Sequence, residues 1–376
     1  MKKIIIKILN WTRRVSYDLR NKNRFRILEN SYKQMAQKSS IDVSKPISGE
    51  NEYLQQWQSI SKYVSPIDYR LFSQFVGQDK NIVPEYVMHN VIEPVFHPKE
   101  FLSFYNDKNM YDKLLPQEFL ARTFFRNIHG MCYGGGYNII NQEDVFDLMA
   151  LCDGSKKIIV KPTIDTGNGN RILIYEKRGA TYNPLNSDVT FSLPSIAAVY
   201  SNKDFVIQEC LEQSSFTSQF NPSSVNTFRV FTYKSVTDDA VHVLGIVFRI
   251  GASKALVDNC HAGGKFIGVN HDGSFANVCV FDQYGNKYPE FNGIKFYDQK
   301  FIVPEFDKIL NFSKRIGELI CHNRTLDLDV MIDKNGDPKL IEFNVDMCSP
   351  WLYQYTVGSV FGEYTQEVIN YVKKTK

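Results

Sequence analysis

The sequence points to an α+β protein in which antiparallel sheets carry the chemistry and a mainly helical N-terminal extension precedes them. Three observations lead there. Residues 226–234, 240–250 and 275–281 read as strands whose side chains alternate between two faces. Residues 326–332 and 338–343 read as another strand pair, joined by Asp333-Lys-Asn-Gly336, a tight-turn signal. Helix-like stretches at 304–321 and 359–374 flank that pair.

The first forty residues hold eleven Lys and Arg against Asp18 and Glu29, a net charge of +9 in a chain whose total is +3. They read as a basic helix, with Ile4, Ile5, Ile8, Leu9 and Trp11 apolar and Lys2, Lys3, Lys7, Arg13 and Arg14 around them. Two roles are open to such a helix. It could lie on an anionic membrane surface and reach a lipid-linked sugar, or it could pack on the rest of the protein. Residues 41–51, with Pro46 and Gly49, form a linker. Residues 1–50 thus make a basic segment with its linker, and residues 51–105 a small N-terminal domain. The latter is helix-like over 52–76, then punctuated by Pro84, Pro94 and Pro98.

From residue 106 helix-like and strand-like stretches alternate. Residues 107–115 are helix-like and end at Pro116, 123–128 suit a strand, and 142–153 suit a helix with Glu143 and Asp144 in its first turn. Residues 157–161 and 171–176 pair as a hairpin across a loop holding Gly167 and Gly169, and 205–208 add a short strand.

Composition removes several classes. Hydrophobic residues are 43% and aromatic residues 14%, so the chain can bury large cores. The modest net charge argues against a nucleic-acid partner. No apolar run is long enough for a membrane span. The opening Ile4-Ile5-Ile6 run is too short for a signal segment. The seven Cys, at 132, 152, 210, 260, 279, 321 and 348, are scattered and form no CxxC. Small core hydrophobes in a reducing cytoplasm fit them best, a nucleophile being the other option.

Four constellations carry chemistry. Lys161 ends a strand just before the Gly167/Gly169 loop. Glycines let backbone N–H groups approach an anion and the ammonium adds compact charge, so the pair is either a phosphate cradle or a plain solvated hairpin. No GxxxxGK[ST] occurs. Asp329, Glu342 and Asn344 come from the hairpin 326–343, the last two on one strand face. Their hard oxygens suit Mg²⁺ or Mn²⁺ held together with phosphates, unless the acids are merely solvated. Arg229 and Arg249 sit inside apolar strands, where a guanidinium seeks a phosphate, a carboxylate or a structural acid. Finally, Val206-Ile-Gln-Glu-Cys-Leu211 runs off a strand and could offer hinge groups to an adenine edge, with Glu212 near a ribose.

In this order, Lys108, Lys161, VIQECL, Arg229, Arg249, Asp329 and IEFN resemble the ATP-grasp superfamily. NTFRVFTY, GIVFRIG, VDNCHAGGKFIGV and the LDVMID…LIEFN pair narrow this to the sugar-transfer-associated ATP-grasp family, over roughly residues 100–365. The resemblance implies an ATP-grasp fold over 106–376, two α+β subdomains (106–210 and 211–376) clamping ATP between antiparallel sheets. It implies Lys108 and Lys161 on the ATP phosphates. Gln208, Glu209 and Leu211 would lie at the adenine, with the Gly loop over the phosphates. Arg229 and Arg249 would hold the transferred phosphoryl group, and Asp329, Glu342 and Asn344 the magnesium. Asn259, His261, Gly263, Gly264 and Lys265 would close over the substrate, His261 being either structural or catalytic. LDLDVMI departs from the family pattern, so Asp327 competes with Asp329. The latter is preferred because it precedes the apolar VMI.

The implied activity is ATP-dependent carboxylate–amine ligation through an acyl phosphate. The substrates would be a small or sugar-linked carboxylate and an amine, in surface polysaccharide synthesis. The implied location is the cytoplasm, with a peripheral position at the inner membrane face if the basic helix docks there. A kinase acting on a hydroxyl, or a non-catalytic nucleotide-binding scaffold, are the alternatives.

Overall fold

A computed structural model describes residues 2–140, 148–152, 154–164, 171–201 and 203–375, with the backbone alone for residues 2–15. The predicted helix over 142–153 is therefore described only in part, as Leu148–Leu151. The loop with Gly167 and Gly169 lies outside the described residues.

Two antiparallel sheets organise the chain. The first holds β1 (Thr123–Ile128), β2 (Met131–Gly134), β3 (Lys157–Pro162), β4 (Leu173–Arg178), β5 (Thr181–Pro184) and β6 (Phe205–Glu209), in the order β2-β1-β6-β3-β4-β5. The predicted hairpin is present as β3 and β4, with Lys157 opposite Glu176 and Val160 opposite Leu173. Its core gathers Phe125, Ile158, Val160, Tyr175 and Ile207 with Ile196 and Tyr200 of the helix Leu193–Tyr200. That helix and the short β2 and β5 go beyond what the sequence pattern predicts. Pro194 opens the helix at its first turn, a helix-start signal, and the Ser192 side chain accepts from the Ser195 N–H as its cap.

The second sheet holds β7 (Thr227–Lys234), β8 (Val241–Ile250), β9 (Lys265–Gly268), β10 (Val280–Phe281), β11 (Lys287–Tyr288), β14 (Thr325–Ile332) and β15 (Pro338–Asn344). Their order is β11-β10-β9-β8-β7-β14-β15. A separate ribbon pairs β12 (Glu290–Phe291) with β13 (Ile294–Lys295). The strand expected over 275–281 shrinks to β10, while β9 arises where the sequence shows only a glycine-rich stretch.

The centre of the second sheet is buried on both faces, β14 at every residue. Along β14, Leu326, Leu328, Val330 and Ile332 pack against Ile309, Phe312 and Ile316 of the helix Phe306–Leu319. Those three recur at spacings that align one stripe of a helix, while Lys308, Lys314 and Arg315 stay on its outside. The alternate residues of β14, Thr325, Asp327 and Asp329, turn to the opposite face. There the helical layer packs: Tyr53, Trp57, Leu71, Phe72 and Ile92 join Phe231, Tyr233, Phe266, Tyr353 and Ile369 in one core. The N-terminal helices thus form the outer layer of the second sheet.

The turn between β14 and β15 follows the sequence signal. The Asp333 carboxylate accepts from the Asn335 and Asp337 N–H groups at 2.9 and 3.0 Å. Gly336 sits at φ 86°, a left-handed conformation that a Cβ would strain. The register then places Asp329 opposite both Glu342 and Arg229, and Asp327 opposite Asn344. A bulge after Asp329 pairs Val330 with Leu340 and leaves Ile341 as the extra residue.

Candidate active site

A cavity of about 570 Å³ opens between the two sheets. Lys161 reaches it from the end of β3, Arg229 from β7, Arg249 from the end of β8, Asp329 from β14, and Glu342 and Asn344 from β15. Lys108 comes from a one-turn helix, Lys108–Met110, which the Asp107 side chain caps through the Asn109 N–H. Asn259 and His261 enter from the loop after β8. Ile159, Ile172, Ile341, Trp351 and Leu352 complete the wall with apolar surface. Nine residues singled out in the sequence therefore meet around one space, although up to 236 residues separate Lys108 from Asn344.

The charges are organised. Arg229 donates to Asp329 through Nε at 2.5 Å and Nη2 at 2.9 Å, a two-point pair. Arg249 Nη2 lies 3.0 Å from Asp329 and 3.2 Å from Asp258. Burial alone would raise the Asp329 carboxyl, but the two guanidinium groups outweigh it and hold it below the usual carboxylate range. Burial pushes Asp258 up, with Arg249 opposing. Lys108 Nζ lies 3.0 Å from Glu342 Oε2. Burial, reinforced by the nearby charge of Lys108, brings Lys161 down to about 8, with Glu342 opposing. Four cations and three acids line the cavity. It is built to receive an anion.

Asp327 does not line the cavity. Its carboxylate accepts from the Ser349 N–H at 3.0 Å and the Tyr353 hydroxyl at 2.6 Å, which fixes the start of the helix Pro350–Gln354. Of the two acids that compete in the sequence, Asp329 is the one at the cavity.

The donor set suits a hard cation. Glu342 and Asn344 offer oxygens on the cavity wall next to Asp329. Asn344 donates its Nδ2 to the Asp327 carbonyl at 3.3 Å, so Oδ1 is the atom it can offer a metal. Both oxygens of Asp329 already accept from arginine, which leaves it less to give. Among the described residues no three His, Cys, Asp or Glu side chains gather as a closed metal cage. The set fits Mg²⁺ that keeps waters and takes phosphate oxygens as its remaining ligands.

Other predicted residues lie elsewhere. Gln208 borders a narrow crevice beside Lys108 and Lys161 and donates to Thr123 Oγ1 at 2.9 Å. Glu209 accepts from the Arg122 N–H at 2.7 Å and faces a second cavity of about 640 Å³ with Leu120, Phe124 and Lys339. Leu211 lines neither cavity. Glu212 is exposed, pairs with Lys334 at 3.1 Å and lines neither cavity. Gly263, Gly264 and Lys265 are not part of the wall. Gly264 is needed for packing, since a Cβ there would stand 2.6 Å from the Asp258 carbonyl oxygen. Lys265 Nζ sits over the rings of Tyr288 and Phe291. The turn that displaced them is set by Asn259, whose side chain accepts from the His261 N–H at 2.9 Å.

Sequence reading missed Asp258, Ser349 and Trp351. Asp258 carried a usable signal: two buried arginines demand more acid than Asp329 alone.

The sequence matches the family described as sugar-transfer associated ATP-grasp over residues 88–369. A search of curated protein sequences returns no match. Among solved structures, an L-amino acid ligase from Bacillus licheniformis overlays with a TM-score of 0.39 at 15% identity, covering 72% of this chain and 48% of that one. The ATP-grasp ligase PsnB, complexed with minimal precursor, Mg and ADP, gives 0.39 at 12%, covering 74% and 62%. A D-alanine–D-alanine ligase from Bacillus anthracis gives 0.36 at 12%, covering 76% and 69%. The chain spans less than two thirds of the length of the first two. The family match covers most of the chain, and it includes every residue of the cavity wall: the chain belongs to the sugar-transfer associated ATP-grasp family.

Proposed function

We propose that the chain is an ATP-dependent ligase that activates a carboxylate as an acyl phosphate and passes the acyl group to an amine. The observation that carries this reading is the convergence of Lys108, Lys161, Arg229, Arg249, Asp329, Glu342 and Asn344 on one cavity between two antiparallel sheets. Such a wall leaves little covalent work to the protein. It binds, aligns and neutralises.

Lys161 and Lys108 would hold the triphosphate from the side of the first sheet. Arg229 and Arg249, locked by Asp329 and Asp258, would face the migrating phosphoryl group with donors that need no reorganisation. A carboxylate oxygen of the substrate attacks the γ-phosphorus and ADP leaves. The amine nitrogen then attacks the acyl carbon, inorganic phosphate leaves, and the nitrogen sheds its proton. Glu342 and Asn344, with Asp329, would hold Mg²⁺, which supplies charge neutralisation on the phosphate oxygens when bound. The apolar wall of Ile159, Ile172, Ile341 and Leu352 keeps water from the activated acyl group.

The proposed substrates are a sugar-linked carboxylate or amine in surface polysaccharide synthesis, a reading supported by membership of a family described as sugar-transfer associated. The test is phosphate release from ATP with amino acids set against sugar nucleotides carrying uronic acids, with hydroxylamine added. A hydroxamate is expected. ADP together with a phosphorylated alcohol and no hydroxamate would establish a kinase instead, and no ADP with any acceptor would leave a binding scaffold.

A further inference from the structure

In the ligation proposed above, the attacking nitrogen carries a positive charge once the C–N bond has formed, and a base that removes its proton speeds the step. That base has to stand on the cavity wall with a lone pair to spare. Most groups there are already engaged. Both oxygens of Asp329 accept from arginine. Asp258 accepts from the Thr227 N–H and hydroxyl through Oδ2, and its Oδ1 lies 3.2 Å from Arg249 Nη2. Glu342 pairs with Lys108 at 3.0 Å and is a proposed metal ligand. Burial pushes the Cys260 thiol up to about 12, so it stays protonated. Lys161, at about 8, is mainly a cation at neutral pH and stands where the phosphates are proposed to lie.

His261 differs from all of these. It lines the same cavity and is exposed, yet its ring makes no hydrogen bond, ion pair or ring contact among the described residues. Its backbone, by contrast, is firmly held. His261 is the middle residue of the one-turn helix Cys260–Ala262. The Asn259 side chain accepts from the His261 N–H at 2.9 Å, and the Asn259 carbonyl accepts from the Ala262 and Gly264 N–H groups at 3.0 and 3.1 Å. Gly263 closes the turn at φ 90°, in the left-handed region. The turn starts next to Asp258, and three residues of chain span at most about 10 Å. An unengaged imidazole is thus presented at a fixed place, close in the chain to the acid that locks Arg249.

We infer that His261 is a catalytic residue, the group that takes the proton from the attacking amine. The inference rests on the ligase reading and adds to it the destination of that proton. The amine nitrogen gives its lone pair to the acyl carbon, and the C–N bond forms. The C–O bond to phosphate breaks, and its electrons leave with the phosphate. The N–H proton passes to the lone-pair nitrogen of the neutral imidazole, and the exposed ring hands it to water.

The experiment assays the full chain with ATP, magnesium and the uronic acid and amino acid pair that releases phosphate, and in parallel with hydroxylamine in place of the amino acid. Hydroxylamine attacks acyl phosphates in free solution, so it needs no base from the protein. His261→Gln should lower amide formation by about a hundredfold or more and leave hydroxamate formation within about twofold of the parent. Imidazole added to His261→Ala should raise amide formation by about tenfold or more. Calorimetry should give both variants the parent's affinity for ATP. Amide formation at the parent's rate in His261→Gln overturns the inference. So does a joint loss of amide and hydroxamate, which would make His261 part of the framework of the site. A lost amide that imidazole fails to restore overturns it too, and would assign the ring to amine binding. No hydroxamate from the parent overturns the ligase reading itself, and the inference falls with it.

Discussion

Lys108 Nζ lies 3.0 Å from Glu342 Oε2, so a one-turn helix ahead of the first sheet is tied to the last strand of the second. The tie crosses the cavity where nucleotide phosphates are proposed to sit, and it holds a potential metal ligand in place. Glu342 is partly exposed, so losing its charge should not unfold the protein. Glu342→Gln should abolish turnover and leave the unfolding free energy within about 1 kcal/mol of the parent. Near-normal activity in that variant would remove Glu342 from the metal site.

Lys161→Ala should weaken nucleotide binding tenfold to a hundredfold, since a charge-assisted phosphate contact contributes about 1.5–3 kcal/mol. Calorimetric titration of ATP checks this. An unchanged dissociation constant would show that the triphosphate lies elsewhere.

Asp329 behaves differently from Glu342, because it neutralises two buried guanidinium groups. Asp329→Ala removes the carboxylate that both arginines share, leaving Arg229 only Asp327 at 3.7 Å and Arg249 only Asp258 at 3.2 Å, and should cost about 3–5 kcal/mol in denaturant unfolding. A loss below about 1 kcal/mol would mean that the arginines find other partners, and that Asp329 is not their anchor.

Glu93, buried in the helical layer, accepts from the Met347 and Cys348 N–H groups at 3.2 and 2.8 Å. It thereby props the loop that brings Met347 and Ser349 to the cavity. Burial raises its carboxyl from 4.5 to about 7, against His89 and the two amides. Below pH 4.5 folded and unfolded chains are both protonated there, and the group costs nothing. As pH rises from 4.5 to 7 the unfolded chain ionises first, and native stability falls. Against Glu93→Gln, which does not titrate, the parent should lose up to about 3 kcal/mol across that interval and no more above it. Parallel stability curves for the two proteins would show that Glu93 ionises freely.

Much of the site was legible because its residues carry their own chemistry. Arginines inside apolar strands, two acids and an amide on a strand pair, and a lysine ending a strand are costly without anions or cations to meet them. The two-residue spacing of Glu342 and Asn344 is enough to put them on a common strand face. The adenine side was less legible. Gln208, Glu209, Leu211 and Glu212 are near neighbours in sequence, but the chain leaves β6 at Glu209, and from there no periodicity dictates direction. Leu211 lines neither cavity, and Glu212 ends on the surface beside Lys334.

By itself the sequence determined that strands with inward charges would build an α+β protein, because alternation and residue chemistry are local properties of the chain. It determined as well that Asp333–Gly336 would turn, since the carboxylate cap and the left-handed glycine need only neighbours. The tertiary structure alone decided which acid faces the cavity. Asp327 and Asp329 share a strand face, and Arg229 lies near both; Asp327 is turned to Tyr353 and Ser349, while Asp329 takes the two-point contact of Arg229 and the contact of Arg249. It also decided the placing of the first helix. Which face of it is covered is invisible until Phe25, Tyr32 and Ala36 have found the body, because a helix has no inside until something covers it.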